Sequence, residues 1–530
     1  VFHAAKTPLA RRTHAPLVRK LAGAIAAGRV SWVIAFALGV PFLWALPRWP
    51  VGWDATGFVL SAMGEGVDLA QGRPHPPGYP LYAILASLIR ALGLTDPSLI
   101  AQTFGALNVL ALVLLLQAAV RWTLEQTGSL RLSALAGLVV LLGQGWTMLA
   151  GQCLPDLLSI ALLAQALACV RDRRLDCAAI LAGISLANRP SDVASVLLVT
   201  PVLAWGFSQS ARALLRGTAL AALSFVLSFG PLLVHHGALR FWQLCEAHGR
   251  AHWSGAFEPA ALRAADPMAR AALWLDSVSR FWLSEPRSLV SVLACVVTAT
   301  LAVVGVRAIA PQKTRVAVIV SVILLVIVRY YLQAMTCRHD ALWSLAVTAL
   351  SLFGLHKLVA HWVLTRAWRT DASRRARGAL IVCLVGLSLA TYALQLQRQR
   401  IAREVVPAEI QAAQYVARVQ STGLHSGRVR RGTLAVFGLR SARAAELFGI
   451  VHFVSRSTGE MLVTAERMDV LPEFLYFTDE LQNRAALPLD RRSEVLRACE
   501  PEVLRWRAEP RGSMCVLLFR YRVRDGAVIW

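Results

Sequence analysis

Apolar runs of roughly 16–24 residues recur from about Ser31 to Gln397, each close to the length a helix needs to cross a hydrocarbon core about 30 Å thick. Within a bilayer the backbone must satisfy its own hydrogen bonds, so runs of this kind become helices. Only 16% of the 530 residues are charged and the mean hydropathy is +0.53, whereas a soluble domain usually holds about a quarter charged residues. The alternating segments of about ten residues that mark an outer-membrane barrel are absent. The chain reads as a polytopic α-helical membrane protein.

About eleven spans follow from these runs: 31–47, 98–120, 132–150, 155–170, 176–190, 192–207, 213–234, 287–306, 316–335, 341–358 and 378–397. The connections between them alternate in charge. Residues 1–30, Arg121–Arg131, "RDRR" at 171–174, Arg212–Arg216, Arg307–Arg315 and Lys357–Arg377 are rich in Arg and Lys. The intervening connections hold most of the acids, from Asp54, Glu65 and Asp68 through Asp156, Asp192 and Asp276 to Asp340. The positive-inside rule puts the first set in the cytoplasm and the second outside. The net charge of +24 then belongs to short loops, and no basic binding module points to nucleic acid. The basic head Lys6–Arg29, followed by Ser31–Pro47 with no evident small-residue cleavage site, reads as an uncleaved signal anchor.

Charge alternation also decides an ambiguous segment. "YPLYAILASLIRALG" (Tyr79–Gly93) would invert the sign of every later loop if it crossed. It is short, contains Arg90, and repeats Leu81, Leu85, Leu88 and Leu92 at helical spacing, so a juxtamembrane helix is expected. The N-terminus is then inside and the C-terminus outside, with a first outside loop at 48–97 and a larger one at 235–286. Residues 398–530 are polar enough to form a small α/β exoplasmic domain. Strand-like runs lie there at 433–439, 450–455, 473–477 and 515–523. The nine cysteines show no zinc spacing; Cys499 and Cys515 can pair if the tail is exported.

The candidate chemistry gathers in the first outside loop, "WDATGFVLSAMGEGVDLAQGRPHPPGYPLY". Two readings stand for Asp54: a cap for a helix starting at Ala55, or a base for an acceptor hydroxyl. Glu65 and Asp68 flank Gly66 and read equally as a solvated turn. His75 precedes Pro76, which disfavours helix there, and Pro76–Pro77–Gly78 makes a stiff corner. Tyr79 and Tyr82 read as interfacial anchors. Arg338 and His339 end a span at headgroup level, where cations suit a lipid phosphate, and Arg189 beside Pro190 is similar. His248 and His252 are four apart and can share a helix face; acceptor contact or solvation fits them better than zinc.

The stretch "HPPGYPLYAILASLIRALG" followed by "AQTFGALNVLALVLLLQAAVRW" resembles the GT-C membrane glycosyltransferases. It is most similar to the bacterial "HPPGYPLY" family related to protein O-mannosyltransferases. "GQCLPDLLSIALLAQALA" (151–168), "LANRPSD" (186–192) and "CRHDALWSL" (337–345) sit where that family has comparable segments. The tail matches nothing known.

The resemblance implies transfer of one sugar from a polyprenyl-phosphate carrier to an exoplasmic acceptor, with inversion, at a bacterial cytoplasmic (inner) membrane. It implies a catalytic role for Asp54 and donor-phosphate contacts for His75, Arg338, His339 and Arg189. Many relatives carry a second acid directly behind the first. Here Ala55, Thr56, Gly57 and Phe58 follow, so a two-acid metal site is not indicated and Glu65 is left as the secondary acid. The acceptor stays open between protein Ser/Thr and an envelope glycan or lipid. A transporter or flippase is the rival class and would place ionisable residues deep in several spans. A non-catalytic assembly partner is the third.

Overall fold

The structure is a computed structural model. It describes residues 28–404 apart from 51–52, 64–65, 71, 208, 255–266, 284–287, 310–311, 333–336 and 365–370, and beyond 404 short pieces that include five strands. Glu65, the side chain of His252, Cys499 and the basic head to residue 27 lie outside the described residues.

The helices follow the apolar runs. In chain order they are α1 (Gly28–Ala45, closing in a 3₁₀ turn), α2 (Trp53–Ala62), α3 (Pro80–Ala91), α4 (Pro97–Thr127), α5 (Leu130–Leu141), α6 (Gln144–Ala150), α7 (Asp156–Arg171), α8 (Leu175–Asn188) and α9 (Val193–Gly206). Then come α10 (Ala211–Ser228), α11 (Gly230–His236), α12 (Ala238–Ser254), α13 (Pro267–Leu283), α14 (Leu289–Ala308), α15 (Gln312–Leu332), α16 (Ala341–Leu364) and α17 (Asp371–Glu404). Several begin where a short polar side chain takes up a free backbone N–H: Asp96 caps α4 through Ser98 N at 2.8 Å, and Ser129, Ser210 and Ser288 cap α5, α10 and α14.

Among the described residues, seven helices are long and apolar enough to cross a membrane: α1, α4, the joined α10 and α11, α14, α15, α16 and α17. The pair α5–α6 is bent by 75° and makes an eighth if it counts as one span. This corrects the expected eleven. The runs at 155–170, 176–190 and 192–207 fold as α7, α8 and α9, of 16, 14 and 14 residues. At 1.5 Å per residue these rise only about 21–24 Å, short of the roughly 30 Å core. Polar turns cut them off, "RDRR" after α7 and Arg189–Asp192 between α8 and α9.

The segment before α4 does not cross: α3 has 12 residues, a rise of about 18 Å. Its protein-facing side is Tyr82, Ala83, Ala86 and Ile89, while Ile84, Leu88 and Leu92 are exposed. Tyr82 is therefore not an interfacial anchor. It is fully buried, stacks on Phe104, and its hydroxyl lies 2.7 Å from both Asn108 Oδ1 and the Leu154 carbonyl. These bonds pin α3 to α4 and to the loop that opens α7.

Two helices of the bundle meet through glycines. A Cβ on Gly305 of α14 would run into the Leu350 carbonyl, and one on Gly354 of α16 into the Leu301 carbonyl. Small residues let backbones approach closely where no hydrophobic drive exists between helices in lipid. The Ser351 hydroxyl donates across the same seam to the Thr298 carbonyl at 2.9 Å.

In the tail, β1 (Leu434–Phe437), β2 (Phe453–Ser455), β3 (Phe474–Glu480), β4 (Leu504–Arg507) and β5 (Cys515–Arg522) form one sheet in the order β2-β1-β3-β5-β4. The β1 pairings are parallel, and β5 runs antiparallel to β3 and β4.

Gly354→Leu is expected to force α14 and α16 apart and cost about 1–3 kcal/mol, the usual range for overpacking. Unfolding of the purified protein in a detergent–denaturant series measures it, and a wild-type midpoint would show that the seam is not a tight contact.

Candidate active site

Helix ends leave unpaired backbone groups, positive in effect at the N-terminus and negative at the C-terminus. At one end of the bundle the charged side chains follow this rule. Asp54 lies in the first turn of α2, Asp156 in the first turn of α7, Asp192 occupies the position just before α9, and Asp340 directly precedes α16. Arg189 stands at the C-cap of α8, and Arg329 in the last turn of α15. Carboxylates sit on N-termini and guanidinium groups on C-termini.

Arg338 departs from the rule. It lies in the 3₁₀ turn Cys337–Asp340, in front of the α16 N-terminus. Its guanidinium Nη2 meets Asp54 Oδ2 at 2.6 Å, with 23% of the side chain exposed. The other carboxylate oxygen, Oδ1, lies 3.2 Å from His75 Nε2. α2 already includes Trp53, two residues earlier than the start at Ala55 that capping by Asp54 requires, and this carboxylate reaches across to two other segments. Burial pushes the Asp54 carboxyl up, but the Arg338 guanidinium and then His75 outweigh it and hold the group well below the usual carboxylate range.

His75 is fixed on three sides. Its Nδ1 lies 2.8 Å from the Pro76 carbonyl, which can only accept, so Nδ1 carries the proton. In the neutral ring Nε2 then accepts from the Tyr79 hydroxyl at 2.9 Å; when protonated it donates to Asp54. Burial, with the Asp54 charge second, pushes the Tyr79 phenol up, which keeps it a donor. His248 of α12 stacks on His75 with ring centroids 4.7 Å apart. Tyr79 takes up this place through a left-handed backbone (φ 48°), a conformation that costs a bulky residue about 1–3 kcal/mol. Its ring packs edge-on against Phe58, so it too is a part of the site and not a lipid-facing anchor.

Arg189 and His339 stand behind this front. Arg189 is 2% exposed; its Nε faces Asp192 Oδ2 at 3.2 Å and its Nη1 faces Asp156 Oδ1 at 3.5 Å. Its Nη2 donates to the Arg338 carbonyl at 2.9 Å and lies 3.4 Å from His339 Nδ1. Arg189 thus holds the backbone of the turn that presents Arg338. Asp68 turns on itself, accepting from Ala70 N at 2.9 Å while its backbone bridges Arg73. Among the described residues no three His, Cys, Asp or Glu side chains converge to hold a metal ion.

His75 and Arg338, singled out in the sequence, therefore meet on the carboxylate of Asp54, with Arg189 and His339 one layer behind. Tyr79, Asp156, Asp192, Ser277 and Arg329 escaped as site residues. One signal was present: Arg329 is a lone charge within "VILLVIVRYYL", and an ionisable residue inside a span marks function or a buried partner.

No family model matches the sequence, and no curated protein does. Two solved structures are similar to the chain. One is ArnT from Cupriavidus metallidurans in the apo state, 14% identical with a TM-score of 0.46, covering 94% of this chain and 98% of that one. The other is ArnT from Cupriavidus metallidurans bound to undecaprenyl phosphate, 13% identical with a TM-score of 0.48, covering 93% and 97%. A likeness at this level carries no weight for the chemistry, which rests on this chain's own residues.

Arg338→Gln is expected to raise the Asp54 pKa, because burial is then opposed chiefly by His75. Infrared spectra of the carboxyl band across a pH titration should show Asp54 protonating at higher pH than in wild type. An unchanged titration would mean that Arg338 is not what holds the carboxylate ionised.

Proposed function

We propose that the protein is a GT-C glycosyltransferase that moves one monosaccharide from a polyprenyl-phosphate donor to a hydroxyl acceptor at the exoplasmic face of a bacterial cytoplasmic membrane, with inversion. The observation that carries this reading is the shared carboxylate of Asp54, one oxygen on the partly exposed Arg338 and the other on His75. A candidate base and a candidate phosphate-binding cation occupy one contact.

The chemistry follows from that pair. The acceptor oxygen attacks the anomeric carbon as the carbon–oxygen bond to the lipid phosphate breaks, through an oxocarbenium-like state. The phosphate leaves with the bonding electron pair, and Arg338 stabilises its charge. The acceptor proton passes to Asp54. A carboxylate pinned by a guanidinium is a weak base, so the empty site is not the reactive one. A lipid phosphate drawn to Arg338 competes with Asp54 Oδ2, and in winning it returns basicity to the carboxylate. When protonated, His75 donates from Nδ1 to Pro76 and from Nε2 to Asp54 and keeps the other oxygen in place, and His248 covers its ring from α12. Buried charges that gather at helix ends support a site at the membrane face over a transport pathway. Residues 398–530 are assigned to acceptor recognition or to covering the site, and the acceptor is a protein Ser/Thr, glycan or lipid hydroxyl.

Asp54→Asn separates the two roles of the carboxylate. Turnover with a polyprenyl-phosphate sugar is expected to fall by about 10²–10⁴-fold, the usual worth of a positioned base. Undecaprenyl phosphate, titrated into the detergent-purified protein, should bind up to about 5-fold tighter, because a competitor of about 1 kcal/mol for Arg338 is gone. Arg338→Gln should weaken both. Wild-type turnover in a folded Asp54→Asn protein would sink the reading.

A further inference from the structure

Behind Arg338 lies a buried ion pair that the chemistry above does not use. Arg329 is 1% exposed and Asp340 fully buried. Asp340 Oδ1 accepts from Arg329 Nε and from Trp343 Nε1, each at 2.9 Å. Asp340 Oδ2 accepts from Ser277 Oγ at 2.6 Å and from Arg329 Nη2 at 3.3 Å. Arg329 Nη2 also donates to Ser277 Oγ at 2.8 Å. Both oxygens of the carboxylate are therefore fully used, by donors from α13, α15 and α16.

Stability alone does not explain such a group. Desolvating two charges offsets most of their attraction, and an apolar pair of similar volume is often no less stable. What an ion pair adds is direction, and here the direction points at the site. Asp340 and Arg338 share one 3₁₀ turn of four residues. At three residues per turn, positions two apart face different sides, so fixing the side chain of Asp340 fixes the bearing of Arg338. The turn is held from the other side too, because Arg189 binds the Arg338 carbonyl.

The third member, Ser277, comes from α13 in the large loop. That helix is strapped along the end of α15. Arg270, seven residues before Ser277 and on the same face, donates to the Tyr330 and Tyr331 carbonyls at 3.1 and 3.2 Å. Trp274 lies edge-on to Tyr330 between them.

We infer that Arg329, Asp340 and Ser277 form a positioning node that aims Arg338 at the phosphate site and ties that aim to the seating of α13. These are positioning residues, acting through Arg338. The inference rests on the phosphate-binding role proposed for Arg338, and the test keeps the two apart.

The double variant Arg329→Met/Asp340→Leu removes both charges together and keeps the volume. Its thermal midpoint in detergent is expected to stay within a few degrees of wild type. Undecaprenyl phosphate, followed by tryptophan fluorescence, is expected to bind about 10–100-fold more weakly, the scale of a misplaced binding group. Weak binding in both this variant and Arg338→Gln, with melting preserved, supports the node. Weak binding in Arg338→Gln but wild-type binding in the double variant overturns the node and leaves the role of Arg338 standing. Wild-type binding in both overturns the two together. If the double variant does not fold, Ser277→Ala decides, since it keeps both charges: reduced affinity with unchanged melting supports the node, and wild-type affinity overturns it.

Discussion

The constraint beneath this site is that helices packed side by side in a membrane bring their unpaired ends to a common level. N-terminal N–H groups favour anions and C-terminal carbonyls favour cations. Asp54, Asp156, Asp192 and Asp340 stand at the starts of α2, α7, α9 and α16, and Arg189 and Arg329 at the ends of α8 and α15. Once the helices are antiparallel neighbours, the acid–base pairs Arg189–Asp192, Arg189–Asp156 and Arg329–Asp340 follow from backbone electrostatics. Against that background Arg338 stands out. It is a cation set before a helix N-terminus, and the carboxylate it touches is itself partly exposed and shared with His75.

The corner from His75 to Tyr82 shows how local chemistry serves the same end. His75 and Tyr79 are i and i+4 but not on a helix, because the prolines between them forbid one. The left-handed backbone at Tyr79 both opens α3 and turns the phenol back onto His75. Three residues on, Tyr82 shares Phe58 with Tyr79 but continues into the core, stacked on Phe104. One side of the corner holds the site and the other anchors it to α4.

Much of this was legible in the sequence, for identifiable reasons. Asp54, His75 and Arg338 stood out because they are polar groups beside apolar runs, where nothing else demands them. The brevity of α3 was readable from the short apolar run that Arg90 interrupts. The span count was not, because hydropathy marks an apolar helix without saying whether protein or lipid surrounds it, and α7, α8 and α9 are shorter than the bilayer core. The role of Arg189 was hidden for another reason: its contact with the Arg338 carbonyl joins positions 149 apart, and no local pattern carries a pairing of that range. The assignment of Tyr79 and Tyr82 to the lipid interface failed in the same way, since aromatic residues at a span boundary suit a headgroup and a core equally well. Strand β4 was missed although Leu504 and Trp506 alternate with Arg505 and Arg507; four residues of alternation are too few to stand out.

The layering of charge explains why, among the described residues, Arg338 remains available at a site so rich in carboxylates. A buried charge must be paired, and removing its partner is costly because the survivor is left uncompensated. Arg189 and Arg329 are buried among acids they cannot leave, so neither is free to follow a substrate. Arg338 keeps 23% of its side chain exposed, and His75, when protonated, still donates to Asp54 if Arg338 turns away. Exchanging a carboxylate for a phosphate on Arg338 therefore strands no buried charge. The inner pairs fix the frame, and the outer pair can be broken by an anion without unfolding what stands behind it.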